Sequence, residues 1–332
     1  MAATLSDIAR RVGVTKTTVA YVLNRKRSGI RISEETRQRV LSVARELNYR
    51  PSFSARALVT GRTNTIGFQC GQIISPHYNE LADMALREVE DRGYHLLISV
   101  TPWRTGENDL DCLQTLMGRG VDGVILFGGS AFQPDSPLYR QILAEKYPLV
   151  TMSDEVEGLS SVASDWQPGM EEAISRLADT GHRRVAYVRS RSVNPAVDGK
   201  LRAFDAACRG HGTEPEVLVG RSVPEDSRQC GREFARRADR PTAVIYSCDH
   251  GAMGFLRGLR DEKVVVPDEV AVIGIDGTEA GAYCCPSLTT IAQDRRQMIH
   301  SAVEMVLAII DKKEPPGRRV HLATKLIVRE SA

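Results

Sequence analysis

Lys16, Thr17 and Tyr21 share one face of a short helical stretch, directly after Thr15, a residue suited to cap it. A lysine there donates to guanine O6 and N7 or meets a phosphate, and a threonine touches a polar base edge or a thymine methyl. Far along the chain, Asp276 closes a β-rich apolar run, VAVIGID. A carboxylate at a strand's end accepts two hydroxyl hydrogen bonds, which is what sugar recognition needs. The usual catalytic constellations are missing: no G-x-S-x-G, no H-E-x-x-H and no G-x-x-x-x-G-K-[ST] occurs. The seven cysteines are odd in number and show no C-x-x-C spacing, so neither a disulfide framework nor a zinc site is expected. The reading is therefore of a binding protein rather than an enzyme, with no cofactor and no metal.

Charge separates the chain into two parts. Residues 1–62 hold 13 Lys/Arg against 4 Asp/Glu, a charge of +9, while the rest holds 31 against 38, a charge of −7. A basic block on an acidic body implies a polyanionic partner for the block alone. No run of 18 apolar residues suggests a membrane span, and the charged opening has no apolar core of a signal peptide, so a cytoplasmic protein is expected.

The elements that must position these residues follow from periodicity. Leu5, Ile8, Ala9 and Val12 line one helical face, Gly13 breaks it with a turn, and Val19, Val22 and Leu23 line the next. This is a helix-turn-helix. Ser33 caps a third helix, with Glu34 and Glu35 in its first turn and Val40, Val43, Ala44 and Leu47 as its stripe. Pro51 ends the run, residues 52–58 are long enough for one short helix, and 60–64 reads as a linker. The expected divisions are a headpiece at 1–50, a hinge at 51–62 and a body at 63–332. From 65 onward β-rich runs (65–69, 95–100, 121–127, 148–152, 184–189, 242–247 and 270–275) alternate with amphipathic helices. That alternation implies an α/β body of parallel sheets with crossover helices, large enough for two lobes with a ligand cleft between them.

The stretch TLSDIARRVGVTKTTVAYVLN at 4–24 resembles the opening of the lactose-repressor (LacI) family. So do SEETR at 33–37, LNYRP at 47–51, GRTNTIG at 61–67, GVDGVIL at 120–126, GHRRV at 181–185, VIGID at 272–276 and PSLTT at 286–290. The resemblance runs in order through nearly the whole chain. It implies a three-helix headpiece, a hinge helix and a two-lobed body like periplasmic sugar-binding proteins. It also implies a dimeric regulator of transcription, a repressor by family, on a pseudo-palindromic operator, allosterically controlled by a small molecule such as a carbohydrate. The sequence ends without leucine heptads, which fits a dimer rather than a tetramer.

By the same resemblance, Thr4, Thr18 and Asn24 contact the DNA backbone, and Ser6 and Thr15 belong to the same DNA-binding set. Ser54, Ala55 and Leu58 belong to a hinge helix in the minor groove, with Leu58 a wedge at the central base step. Tyr21 stands where the family very often has arginine, which shifts the expected operator preference. For the effector, the loop holding His77 and Tyr78 lines the cleft, Tyr78 either touching ligand or starting the helix core. Lys200 replaces a frequent arginine, keeping charge but losing the bidentate fork. Cys248, before Asp249, replaces a frequent asparagine. Trp166 and Tyr246 either wall the site or pack in the core.

Overall fold

The computed structural model describes residues 3–23, 32–49, 57, 60–71, 73–101, 109–127, 136–153, 155–190, 195–220 and 223–332. The chain forms two compact units, Met1–Thr63 and Asn64–Ala332.

The first unit contains α1 (Leu5–Val12), α2 (Lys16–Leu23) and α3 (Glu34–Glu46). Thr4 and Asp7 close a reciprocal capping box on α1. Gly13 ends that helix at φ 77°, a conformation costly for residues with a Cβ, and so sets the tight turn. The hydroxyls of Thr15 and Ser33 accept the backbone N–H groups of Thr18 and Thr36, starting α2 and α3. Ile8, Ala9, Val12, Val19, Val22, Val40 and Ala44 are the shared core, with Leu23, Val43 and Leu47 packed at its margin. Arg39 ties α3 to α1 through the Val12 carbonyl, 3.0 Å away.

In the second unit, the first lobe carries β1 (Thr65–Cys70), β2 (His95–Val100), β3 (Gly123–Phe127), β4 (Leu149–Met152) and β5 (Ser160–Asp165). Its helices are α4 (Pro76–Glu90), α5 (Asp109–Gly118) and α6 (Pro137–Glu145). The second lobe carries β6 (Arg184–Ser190), β7 (Glu214–Gly220), β8 (Ala243–Tyr246), β9 (Ala271–Asp276) and β10 (Thr289–Ala292). Its helices are α7 (Gln167–Asp179), α8 (Pro195–His211), α9 (Pro224–Ala235) and α10 (Asp249–Asp261). The chain then returns to the first lobe as α11 (Arg295–Ile310) and β11 (Arg319–Ala323), and finishes in the second as β12 (Lys325–Ile327). The sheet orders are β11-β5-β4-β3-β1-β2 and β12-β10-β9-β8-β6-β7. Among the described residues, the pairings are parallel except that of β10 with β12. Central strands such as β9 are buried throughout because helices cover both faces.

Three crossovers therefore join the lobes, at β5 to α7, β10 to α11 and β11 to β12. Two are fastened together by Thr324, whose N–H and hydroxyl both donate to the Asp165 carbonyl, at 3.0 and 2.8 Å. The strand reading from sequence holds for seven strands and omits β5, β7, β10, β11 and β12. β5 and β10 are serine- and threonine-rich, and the edge strands alternate between exposed and covered residues.

Candidate DNA interface and effector cleft

On the headpiece, Lys16 and Thr17 are exposed on the first turn of α2, and Tyr21 is half-buried one turn on. The side opposite carries Val19 and Val22 into the core. α2 thus offers its N-terminal polar face outward, as a recognition helix must. Ser6 is exposed. Thr4 and Thr18 are partly committed within the protein: Thr4 donates to Asp7 at 2.7 Å, and the Thr18 and Thr15 hydroxyls lie 2.9 Å apart. Asn24, Ser54, Ala55 and Leu58 lie outside the described residues.

In the body, Asp276, His77, Lys200 and Trp166 converge where the lobes meet. Asp276 ends β9 with φ 125°, a strained conformation for a residue with a Cβ. Strain of that kind persists only when its surroundings hold it, here through the Thr290 hydroxyl, which accepts the next N–H, that of Gly277, at 3.2 Å. Its Oδ1 accepts a hydrogen bond from Gln293 Nε2 at 3.3 Å and lies 4.0 Å from both Lys200 Nζ and His77 Nδ1. Lys200 also donates to the Ser247 carbonyl at 3.0 Å and sits over the Trp166 ring, 4.6 Å from its centroid.

Burial governs the charges. It drives the His77 imidazole down to about 3, helped by the cations of Lys200 and Arg295, so this histidine is neutral. Its ring packs edge-on against Tyr78 and Phe127, with centroids 5.3 and 5.4 Å away. Burial raises Asp276 well above the ordinary carboxylate value, while Lys200 and Arg295 oppose the rise. Asp249 is raised too, by burial and then by the Asp276 charge.

The structure divides the remaining sequence-derived candidates by what their polar atoms do. Asp249 is fully buried and accepts three internal hydrogen bonds, from the Thr278 N–H and hydroxyl at 2.7 and 2.8 Å and from the Thr290 hydroxyl at 2.6 Å. It is a brace beneath Asp276. Gly274 is required beside it, since a Cβ there would come within 2.2 Å of Asp249 Oδ1. Cys248 caps α10, its Sγ accepting the Gly251 N–H at 3.4 Å. Tyr246 points into the second lobe's core, and its hydroxyl donates to Ser227 at 2.9 Å. Tyr78 packs at the margin of the first lobe's core, with its ring against those of His77 and Phe127.

Sequence reasoning passed over several cleft groups. Glu80 bridges the lobes: one oxygen lies 2.5 Å from Arg295 Nη1, and the other accepts the Glu279 N–H at 3.2 Å. Arg295 in turn donates to the Gly277 carbonyl at 2.7 Å. Gln293 links Asp276 to Ser164, whose hydroxyl donates to Gln293 Oε1 at 3.0 Å. Tyr187 is fully buried with its hydroxyl unpartnered among the described residues, as is His77 Nδ1. Burial raises the Tyr187 phenol, and the nearby Cys248 and Asp276 add to that. Buried polar atoms without partners mark places where a ligand or water completes the bonding.

A small three-helix unit with an exposed α2 face, joined in sequence to a two-lobed body with a polar cleft, defines a ligand-responsive DNA-binding regulator. Comparison with known proteins agrees. Residues 4–52 match "Bacterial regulatory proteins, lacI family", and residues 174–332 match "Periplasmic binding protein-like domain". The chain is 30% identical to the ribose operon repressor of Escherichia coli (strain K12), over 99% of this chain and 100% of that one. It is 28% identical to the HTH-type transcriptional repressor PurR of Mannheimia succiniciproducens, over 99% and 98%. The fold matches that of the lac repressor dimer bound to operator and the anti-inducer ONPF, with TM-score 0.86, 21% identity, and coverage of 100% and 99%. The chain belongs to the lacI family of bacterial transcriptional regulators.

Proposed function

We propose that this regulator is a cytoplasmic homodimeric repressor whose affinity for a pseudo-palindromic operator is set by a polyhydroxylated small molecule bound at Asp276. The observation that carries the reading is the strained, buried Asp276 carboxylate at the meeting of the lobes. Lys200, His77 and Gln293 surround it, and unpartnered polar atoms lie nearby. A carboxylate, an ammonium group and an amide converging at one place can fix the hydroxyls of a polyhydroxylated ligand by hydrogen bonds. Lys16 and Thr17 read base edges, Tyr21 adds a contact unlike that of arginine, and Ser6 positions the backbone.

Dimerisation is supported by apolar side chains exposed on the outer strands, Ile98 and Val100 on β2 and Val217 and Val219 on β7, and by Tyr283, which is 80% exposed. A reducing compartment fits the seven free thiols, and no helix among the described residues is long and apolar enough to cross a membrane. A ligand that favours one arrangement of the lobes shifts DNA affinity by its differential affinity for the two arrangements. A second reading, a regulator free of ligand control, draws support from Glu80, which ties the lobes together by accepting the Glu279 N–H beside its contact with Arg295.

The test is selection of operator DNA from a random pool with the full chain, followed by titration of sugars into the complex. A pseudo-palindrome whose binding changes with a sugar, and loses that response in Asp276→Asn, is expected. A pseudo-palindrome indifferent to every sugar points to the second reading.

A further inference from the structure

A groove of about 750 Å³ lies beside the first crossover, and neither Asp276 nor Lys200 lines it. That volume falls within the roughly 300–1,000 Å³ of small-molecule pockets. One wall belongs to the first lobe, with Asp165 at the end of β5 and Glu155 after β4. The other belongs to the second lobe, with Trp166 at the head of α7 and Gly199 and Arg202 on α8.

The second-lobe wall carries hydrogen-bond donors that the protein leaves idle. Among the described residues, exposed Arg202 has neither an ion pair nor an acceptor, and the Trp166 indole N–H donates to none. Both adjoin Gly199, whose lack of a side chain keeps a space open. The point that a Cβ there would occupy lies 3.8 Å from Arg202 Nη2 and 4.0 Å from Trp166 Nε1. A carboxylate seated at that point receives a charge-assisted bond from the guanidinium and a second bond from the indole. Lys200 lies over the face of the same ring, 4.6 Å from its centroid, and leaves the N–H at the ring's edge free.

The opposite wall is acidic. Asp165 uses one oxygen to accept the Gln167 N–H at 3.1 Å, and among the described residues its other oxygen accepts nothing. Glu155 is already matched by Arg319 at 3.1 Å and by its contact with His321. One uncommitted anion and one uncommitted cation thus line opposite walls without pairing with each other.

We infer that this groove is a second ligand site, separate from Asp276, and that it takes a small amino acid. The ligand's carboxylate lies at Gly199, held by Arg202 and the Trp166 N–H, and its ammonium meets Asp165. Such a ligand touches both lobes, so it favours the arrangement that brings both walls within its reach.

The test is a thermal-shift screen of the full-length chain against the L-α-amino acids, β-alanine and 4-aminobutyrate at about 10 mM each, followed by calorimetric titration of the strongest. At least one is expected to bind, and its methyl ester and its N-acetyl form each bind at least about tenfold more weakly. Arg202→Met and Asp165→Asn each weaken the amino acid by at least about tenfold. Trp166→Phe, which keeps a ring under Lys200 but removes the N–H, weakens it by about threefold or more. Asp276→Asn leaves it within about threefold. If no amino acid shifts the melting temperature, the inference is overturned, whatever binds at Asp276. An affinity untouched by Arg202→Met and Asp165→Asn, or lost in Asp276→Asn alone, overturns it as well. Acetate or succinate binding as tightly as the amino acid overturns the pairing of Asp165 with an ammonium, and with it the amino-acid assignment.

Discussion

Replacing Asp276 by asparagine separates binding from stability, because the two effects have opposite signs. The carboxylate is an ionic acceptor, and a hydrogen bond to a charged group contributes about 1.5–3 kcal/mol. Two ligand hydroxyls bound by its oxygens therefore account for roughly 3–6 kcal/mol, or about 10²–10⁴ in Kd. Folding gains from the same change. Asp276 and Asp249 are both raised above the ordinary 3.8 by burial, and the Asp276 charge is the second cause of the rise at Asp249. The stability such raised carboxylates contribute is full below their unfolded value and is lost as pH rises through the folded values. Wild-type stability thus declines from about pH 4 toward neutrality on account of this pair, and Asp276→Asn flattens that decline. Lys200 keeps the Ser247 carbonyl and the Trp166 ring, so its charge is not stranded. The assay is urea unfolding from pH 4.5 to 8, paired with calorimetric ligand titration. A variant that binds ligand within about threefold of wild type would refute the assignment of Asp276. One whose stability has the same pH slope as wild type would refute the electrostatic account.

The bridge between lobes gives a second prediction. Glu80→Ala removes the acceptor of the cross-lobe Glu279 N–H together with the contact to Arg295 and lowers the melting temperature by about 2–4 °C per kcal/mol lost, with a larger radius of gyration in small-angle scattering as the lobes part. An unchanged radius would show that the bridge does not hold the lobes. Gly274→Ala forces a methyl against the Asp249 carboxylate and costs about 1–3 kcal/mol or more in urea unfolding. A neutral effect would mean that the brace beneath Asp276 yields freely. In the headpiece, Lys16→Ala lowers operator affinity by about 1–3 kcal/mol and relaxes sequence preference at one base pair if Lys16 reads a base. A uniform loss on all DNA, with a salt slope reduced by about 1, assigns the residue to a phosphate instead.

The sequence by itself determined whatever depends on neighbours in the chain. Capping residues Thr15 and Ser33, the turn at Gly13 and the apolar stripes fixed three helices, since caps and 3.6-residue periodicity are local signals. Alternating strands and helices fixed the class of the body, and the ordered motifs fixed the family. It also placed Asp276 at the end of β9 and Tyr246 within the run that forms β8.

Tertiary structure alone decided which of these groups face the cleft. Tyr246 and Asp276 both end strands, yet one turns to Ser227 in the core and the other is strained toward Lys200 and His77. Asp249 is consumed by threonines 29 and 41 residues away. Ser164 and Gln293 are 129 residues apart, and Glu80 and Glu279 are 199 apart, so no spacing announces either pair. Three crossovers bring them together, and a contact between distant segments is specified by how whole sheets and helices pack rather than by any short stretch of residues.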